Sequence, residues 1–267
     1  MEKIGLLAGV GRLPVEFARA ARGMGFGVIA VAVVPEVDEE LQQVADKTVQ
    51  LNIGELDRVI RVLKEEGVSQ VTMLGKVTKE LLFSGSVRLD DRLQRMFAAL
   101  PDNRDDTIML GLVRELASEG IGVFDQTAFI RSLMPAPAIL TKREPSAAER
   151  ADMEFGFNMA KAIGGLDIGQ TVVVKNLAVM AVEAIEGTDA CILRGGRLSC
   201  GGATVVKAAK PDQDLRFDVP AVGVNTIRAM CEAQAKALAI EAGKTLLVDR
   251  DKVIKIADEC GITIVAM

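Results

Sequence analysis

The chain has 267 residues, 49% of them hydrophobic and 26% charged, with 37 acidic against 32 basic side chains for a formal net charge of −5. This is a globular composition, long enough for two ordinary domains, and its acidic balance argues against a nucleic-acid binder, whose footprint is a basic patch. Histidine, tryptophan and tyrosine are all absent and phenylalanine numbers only nine, which excludes imidazole chemistry, makes a catalytic zinc site atypical and argues against base-stacking platforms.

Met1-Glu2-Lys3 leads straight into a strand pattern, so no signal peptide is expected. No stretch reaches the ~18 apolar residues of a membrane span. Lys3–Ala8 (KIGLLA) reads as a short strand, and Leu13–Met24 has helical spacing through Val15, Phe17, Ala18 and Ala21. Gly27–Val33 is apolar without alternation, as a buried strand is. Further strands are predicted at Thr48–Leu51, Gln70–Leu74 and Ile121–Phe124. Helices are predicted at Leu56–Glu66, Leu93–Ala99 and Thr107–Glu119, the last stopped by Gly120. The alternation predicts a Rossmann-like parallel-sheet domain over residues 1–132.

Met134–Ser146 carries Pro135, Pro137 and Pro145 and loses its periodicity, which predicts a linker at 133–146. Residues 147–267 predict a second, mixed α/β domain. It opens with a helix at Ala147–Ile163, then two strands paired around Lys175-Asn176. Glycine turns are expected at Gly195-Gly196 and Gly201-Gly202, with a strand at Val205–Ala209 between them and the next element. A long helix, Asn225–Ala242, is capped by Asn225 and stopped by Gly243. Strands at Thr245–Val248 and Ile262–Val265 flank a helix from Arg250. Cys191, Cys200, Cys231 and Cys260 form no CxxC pair and read as free thiols of a cytosolic protein.

Chemistry concentrates in Gly164–Ala190. Its hairpin brings Asp167, Glu183, Glu186 and Asp189 toward one another and sets Gln170 and Glu183 at the same end of the ladder. Thr188 and Asp189 also stand where plain helix caps occur. Lys207 ends an apolar strand and Lys210 follows in a loop, a pattern that a solvated loop shares. Asp218 sits between Phe217 and Val219-Pro220, and a carboxylate among apolar residues needs partners. It is a candidate metal ligand or base. Lysines beside carboxylates and glycine turns suit a phosphoanhydride, whose several oxygens need neutralising.

The turn Leu7–Pro14 (LAGVGRLP) has Gly9 and Gly11 in the register of a dinucleotide fingerprint, but Pro14 stands in the third glycine's place. A nicotinamide-dependent oxidoreductase is thereby disfavoured; a tight turn and a phosphate contact fit equally well. Asp102–Asp106 reads as caps and dipole complement. Ser84 and Ser86 have no histidine to activate them, so a Ser-His hydrolase is excluded.

Taken together, Ile4–Phe17, Gly165–Gln170, Ala181–Ala190, Lys207–Pro211, Phe217–Thr226 and Leu247–Ala257 resemble the UDP-2,3-diacylglucosamine pyrophosphatases of lipid A biosynthesis that are unrelated to calcineurin-like phosphoesterases. The resemblance spans nearly the whole chain. It implies a cytoplasmic homodimer, with peripheral contact at the inner face of the membrane, that hydrolyses UDP-2,3-diacylglucosamine to 2,3-diacylglucosamine 1-phosphate and UMP. It also implies a magnesium ion or another divalent cation, which carboxylates hold without histidine. Asp218 takes the place of the family's essential aspartate, with Asp189 and Glu186 beside it in the catalytic set. Asp218, Asp189 and Asp167 would hold the metal. Gly9, Gly11, Gln170, Thr188, Lys207 and Lys210 would contact substrate. The alternative is a non-catalytic protein that binds a nucleotide-sugar or an acylated sugar phosphate.

Overall fold

The computed structural model describes residues 1–77 and 87–267; Ser84 and Ser86 lie outside the described residues. The chain divides into two compact units, Met1–Ile130 with Leu215–Phe217, and Arg131–Asp214 with Asp218–Met267.

The first unit is built on β1 (Lys3–Ala8), β2 (Gly27–Ala32), β3 (Lys47–Gln50), β4 (Gln70–Leu74) and β5 (Gly122–Val123), all parallel, in the order β3-β2-β1-β4-β5. Its helices are α1 (Leu13–Gly23), the short α2 (Leu41–Val44), α3 (Leu56–Glu65), α4 (Asp91–Ala99) and α5 (Asp105–Ser118). β2 is buried along its whole length, as its unbroken apolar run predicted. Leu63, Val71 and Leu116 lie in one core cluster, from which water is wholly excluded at all three.

The turn after β1 folds back on the chain itself. The Gly9 N–H donates to the Leu74 carbonyl at 2.8 Å, and Val10 and Lys76 exchange backbone bonds at 2.9 and 2.8 Å. A Cβ at Gly9 would lie 2.7 Å from the Lys76 carbonyl oxygen, and one at Gly75 would lie 2.6 Å from the Gly9 carbonyl carbon. These glycines let two strand ends touch. The Gly9 amide is taken, so that N–H is not available to a phosphate.

The second unit has a six-stranded mixed sheet in the order β6-β13-β11-β9-β7-β8. Its strands are β6 (Ala138–Ile139), β7 (Thr171–Lys175), β8 (Ala178–Val182), β9 (Thr204–Lys207), β11 (Ala237–Ile240) and β13 (Thr263–Ala266). β9, β11 and β13 run parallel, while β6, β7 and β8 join antiparallel. A small parallel pair, β10 (Ala221–Val222) with β12 (Leu246–Leu247), stands apart. Side chains alternate across the sheet as strand geometry requires. Val173, Val205, Leu238 and Ile264 share one cluster with residues of α7 (Thr188–Ser199), α8 (Val224–Glu232) and α9 (Arg250–Glu259). Val172, Val206, Ala239 and Val265 share the other with residues of α6 (Ala147–Gly165).

Several expectations are corrected. The stretch 133–146, expected as a linker, carries β6 and belongs to the second unit. The expected long helix Asn225–Ala242 is a nine-residue helix starting after Gly223, a left-handed residue at Gln234 and then β11. Helix propensity in this alanine-rich run yields to burial between two core clusters. Gly195 and Gly196 lie inside α7, where any Cβ would collide with Val173 and Ala233; they are a packing face and not a turn. Cys231 and Cys260 form a disulfide, leaving Cys191 and Cys200 as free thiols.

Candidate active site

Polar groups of the second unit gather where β9 ends beside the start of β7. Lys207 pairs with Thr171 across one ladder and with Ile240 across the other. Gln170 immediately precedes β7, and Glu183 immediately follows β8. The approach between them needs a glycine, since a Cβ at Gly169 would lie 2.3 Å from the Glu183 carbonyl oxygen. The convergence of Gln170 and Glu183 expected from the hairpin is present: the Gln170 N–H donates to Glu183 Oε2 at 3.2 Å.

Two linked sets of bonds result. Gln170 Nε2 donates to Asp218 Oδ1 at 3.1 Å. Lys210 Nζ lies 2.7 Å from Asp167 Oδ1 and 3.2 Å from Asp218 Oδ2. On the other side, Thr188 Oγ1 donates to Glu183 Oε1 at 2.6 Å, and Lys207 Nζ donates to the Thr188 hydroxyl at 2.9 Å. Gln170 Oε1 is buried and accepts no hydrogen bond among the described residues, while the equally buried Asp218 Oδ2 is ion-paired with Lys210. A buried acceptor without a partner is costly in a folded protein unless a ligand or ion uses it.

Six of the expected residues are therefore brought together: Asp167, Gln170, Thr188, Lys207, Lys210 and Asp218. The remaining four expected residues take no part in these bonds. Glu186 binds Arg194 and accepts from the Ala184 N–H, and Arg194 first among its partners holds its carboxyl below the usual range. Asp189 is exposed in the first turn of α7, where a carboxylate complements the helix dipole. Gly9 and Gly11 belong to the first unit. Cys191 offers no nucleophile, because burial pushes its thiol up to about 12.

The expected three-aspartate metal set is not formed. Among the described residues no three Asp, Glu or Cys side chains stand close enough to hold a cation. The oxygen donors present still fit magnesium, which is commonly held by one or two carboxylates together with waters and substrate phosphates. Asp167, Asp218 and the unpartnered Gln170 Oε1 are such a set, and Lys210 now bridges the two carboxylates.

The first unit has a feature that its sequence did not reveal. A cavity of about 390 Å³ is lined by Leu7, Met73, Leu93, Met96, Phe97 and Phe217, among others. Gly9 lies on its wall, and so does Gln126, which is 5% exposed and whose Nε2 has no hydrogen-bond partner among the described residues.

An α/β protein with lysines and carboxylates gathered at a strand end carries the groups that cleavage of a phosphoanhydride asks of a protein. Family models for the LpxI N-terminal and C-terminal domains match residues 3–133 and 136–265. The chain belongs to the LpxI family. It is 31% identical over 280 residues to the UDP-2,3-diacylglucosamine pyrophosphatase LpxI of Caulobacter vibrioides, covering 100% of this chain and 98% of that protein. Among solved structures it is similar to UDP-glucose 4-epimerases from Stenotrophomonas maltophila and Thermotoga maritima. Both have TM-scores of 0.31 and 14% identity, over 45% and 55% of this chain. The chain spans only 35% and 42% of those two proteins.

Proposed function

We propose that the strand-end cluster of the second unit carries out the reaction of the LpxI family. The chain is a hydrolase that cleaves the pyrophosphate bond of UDP-2,3-diacylglucosamine, giving 2,3-diacylglucosamine 1-phosphate and UMP, a step of lipid A biosynthesis. The observation that carries this reading is the placement of Asp218, held by Gln170 at 3.1 Å on one oxygen and facing Lys210 at 3.2 Å on the other.

Lys207 and Lys210 bind phosphoryl oxygens and offset the charge that develops on them, which is most of what such a reaction asks of a protein. Lys210 exchanges its present carboxylate partners for a phosphate. Asp218, freed on that side and still held by Gln170, orients or deprotonates the attacking water. A divalent cation held by Asp167, Asp218 and Gln170 Oε1 supplies further charge neutralisation when bound. Thr188 and Glu183 hold the Lys207 ammonium in place.

No helix among the described residues is long and apolar enough to cross a membrane. The reading includes a cytoplasmic enzyme that meets the membrane at its inner face and works as a homodimer. Incubation with UDP-2,3-diacylglucosamine and magnesium should release UMP, and EDTA should abolish the release. Tight binding of the substrate without turnover would instead make the protein a carrier.

A further inference from the structure

Ala209 lies between the two lysines of the site and is 3% exposed. Its N–H donates to Glu241 Oε2 at 2.9 Å, and its carbonyl accepts from Lys161 Nζ at 2.9 Å. Lys161 and Glu241 are bonded to each other at 2.6 Å. They come from separate elements, Lys161 from α6 and Glu241 from the residue after β11. The neighbouring Ala208 N–H is held as well, by the Gln170 carbonyl at 3.1 Å. One buried residue is thus fixed at both its polar backbone groups by an ion pair beyond the ends of two central strands, β9 and β11.

A backbone N–H and carbonyl at a strand end are ordinarily satisfied by another strand, a turn or water. Here a carboxylate that is 8% exposed and a half-buried lysine do so instead, and Lys244 Nζ lies 2.9 Å from the other oxygen of Glu241. Such a pair carries a desolvation cost, and apolar side chains can often replace it. Its geometric consequence is specific: Lys207, two residues before the clamped position, and Lys210, one after it, are both set in direction.

We propose that Lys161 and Glu241 are positioning residues for catalysis, holding the Ala208-Ala209 segment so that Lys207 and Lys210 meet the pyrophosphate together. This rests on the reading of those two lysines as phosphate ligands. Lys161 and Glu241 touch neither Asp218 nor Asp167 and act through the backbone of Ala209.

The test uses the full chain with UDP-2,3-diacylglucosamine and magnesium, measuring kcat, KM and the melting temperature of each variant. Glu241→Ala and Lys161→Met should each lower kcat roughly 100-fold, as a displacement near 1 Å does, with KM changed less than about threefold. Glu241→Gln keeps an acceptor for the Ala209 N–H and should recover about a tenth or more of wild-type kcat. Combined with Lys210→Met, the Lys161→Met change should add little further loss, because both disturb one unit. A purely structural pair would lower the melting temperature and leave kcat and this coupling alone. Should Glu241→Ala fail to fold, Lys161→Met and the double variant decide. Folded Lys161→Met with wild-type kcat, or losses that multiply with Lys210→Met, overturn the inference. If Lys207→Met and Lys210→Met themselves keep wild-type kcat, the reading of the site falls first and this one with it. If those two lose activity while the Lys161 and Glu241 variants keep it, only this inference falls.

Discussion

Gln170 and Asp218 are 48 residues apart in sequence, and the Gln170 side-chain amide donates to Asp218 Oδ1 at 3.1 Å. The amide leaves the opposite oxygen of Asp218 facing Lys210, so the carboxylate has one anchored side and one exchangeable side. A group that must hold its direction while its partner changes needs this division. Replacing Gln170 with Leu removes the anchor at similar volume. The change should lower kcat roughly 10- to 100-fold, with the melting temperature nearly unchanged. Steady-state rates alongside thermal unfolding check this.

Lys207→Met and Lys210→Met each remove one cation from the oxygens where charge develops. Each should lower kcat/KM roughly 100-fold or more. The Lys210 change should also leave Asp167 and Asp218 without their shared partner, and raise the affinity for magnesium measured by calorimetry. An affinity that falls instead would place the cation elsewhere.

The outcome at β11 shows where the sequence stops being legible. The hairpin around Lys175-Asn176, the short strand at Lys3–Ala8 and the helix after Ser146 were readable, because turn chemistry, an apolar run and a cap each act locally. Ser146 completes a capping box with Glu149. The run Ala-Leu-Ala-Ile at 237–240 carries no local mark that separates a buried strand from a helix; only packing on both faces decides it. Reading it as helix hid Glu241, which follows a strand end where parallel sheets place functional groups. Lys161 was hidden likewise, as one polar residue among others on a helix. Asp218 was suspect from its apolar neighbours, but the identity of its partner Gln170 needed the fold.

Two carboxylates, the buried Glu241 and the half-buried Glu149, contribute to the acid limb of stability. Burial alone would raise the Glu241 carboxyl, but Lys161, Lys244 and the Ala209 N–H outweigh it and hold it below its ordinary 4.5. Burial likewise opposes, and Arg143 and the Ser146 N–H overcome, at Glu149. Both groups have lower folded than unfolded values, so their stabilisation is present above about pH 4.5 and disappears as pH falls through the folded values. The melting temperature should hold from pH 7 to 5 and decline below about 4.5. Glu241→Gln should make that decline shallower; an unchanged slope would remove Glu241 from the account.

Asp152, 5% exposed on α6, accepts the N–H groups of Asn176 and Leu177 at 3.0 and 2.7 Å. Both turn residues are left-handed, with φ of 54° and 60°, a conformation that costs a leucine roughly 1–2 kcal/mol. Asp152→Ala should cost about 2 kcal/mol of stability while leaving kcat at assay temperature unchanged. Chemical denaturation and steady-state rates report the two effects separately.

The pairing of Cys231 with Cys260 predicts the thiol count directly. Denatured without reductant and alkylated, the protein should take up two labels, at Cys191 and Cys200, and four after reduction. Four labels without reductant would show the pair to be open in solution.

The most direct test of the central claim is turnover by Asp218→Asn, a change that keeps shape and the Gln170 contact but removes the charge. The variant should fold with a melting temperature near wild type, bind UDP-2,3-diacylglucosamine within about threefold of wild-type affinity, and release UMP at least ~1,000-fold more slowly. UMP release at the wild-type rate by the folded variant would contradict the assignment of Asp218, and with it the placing of the reaction at this strand-end cluster.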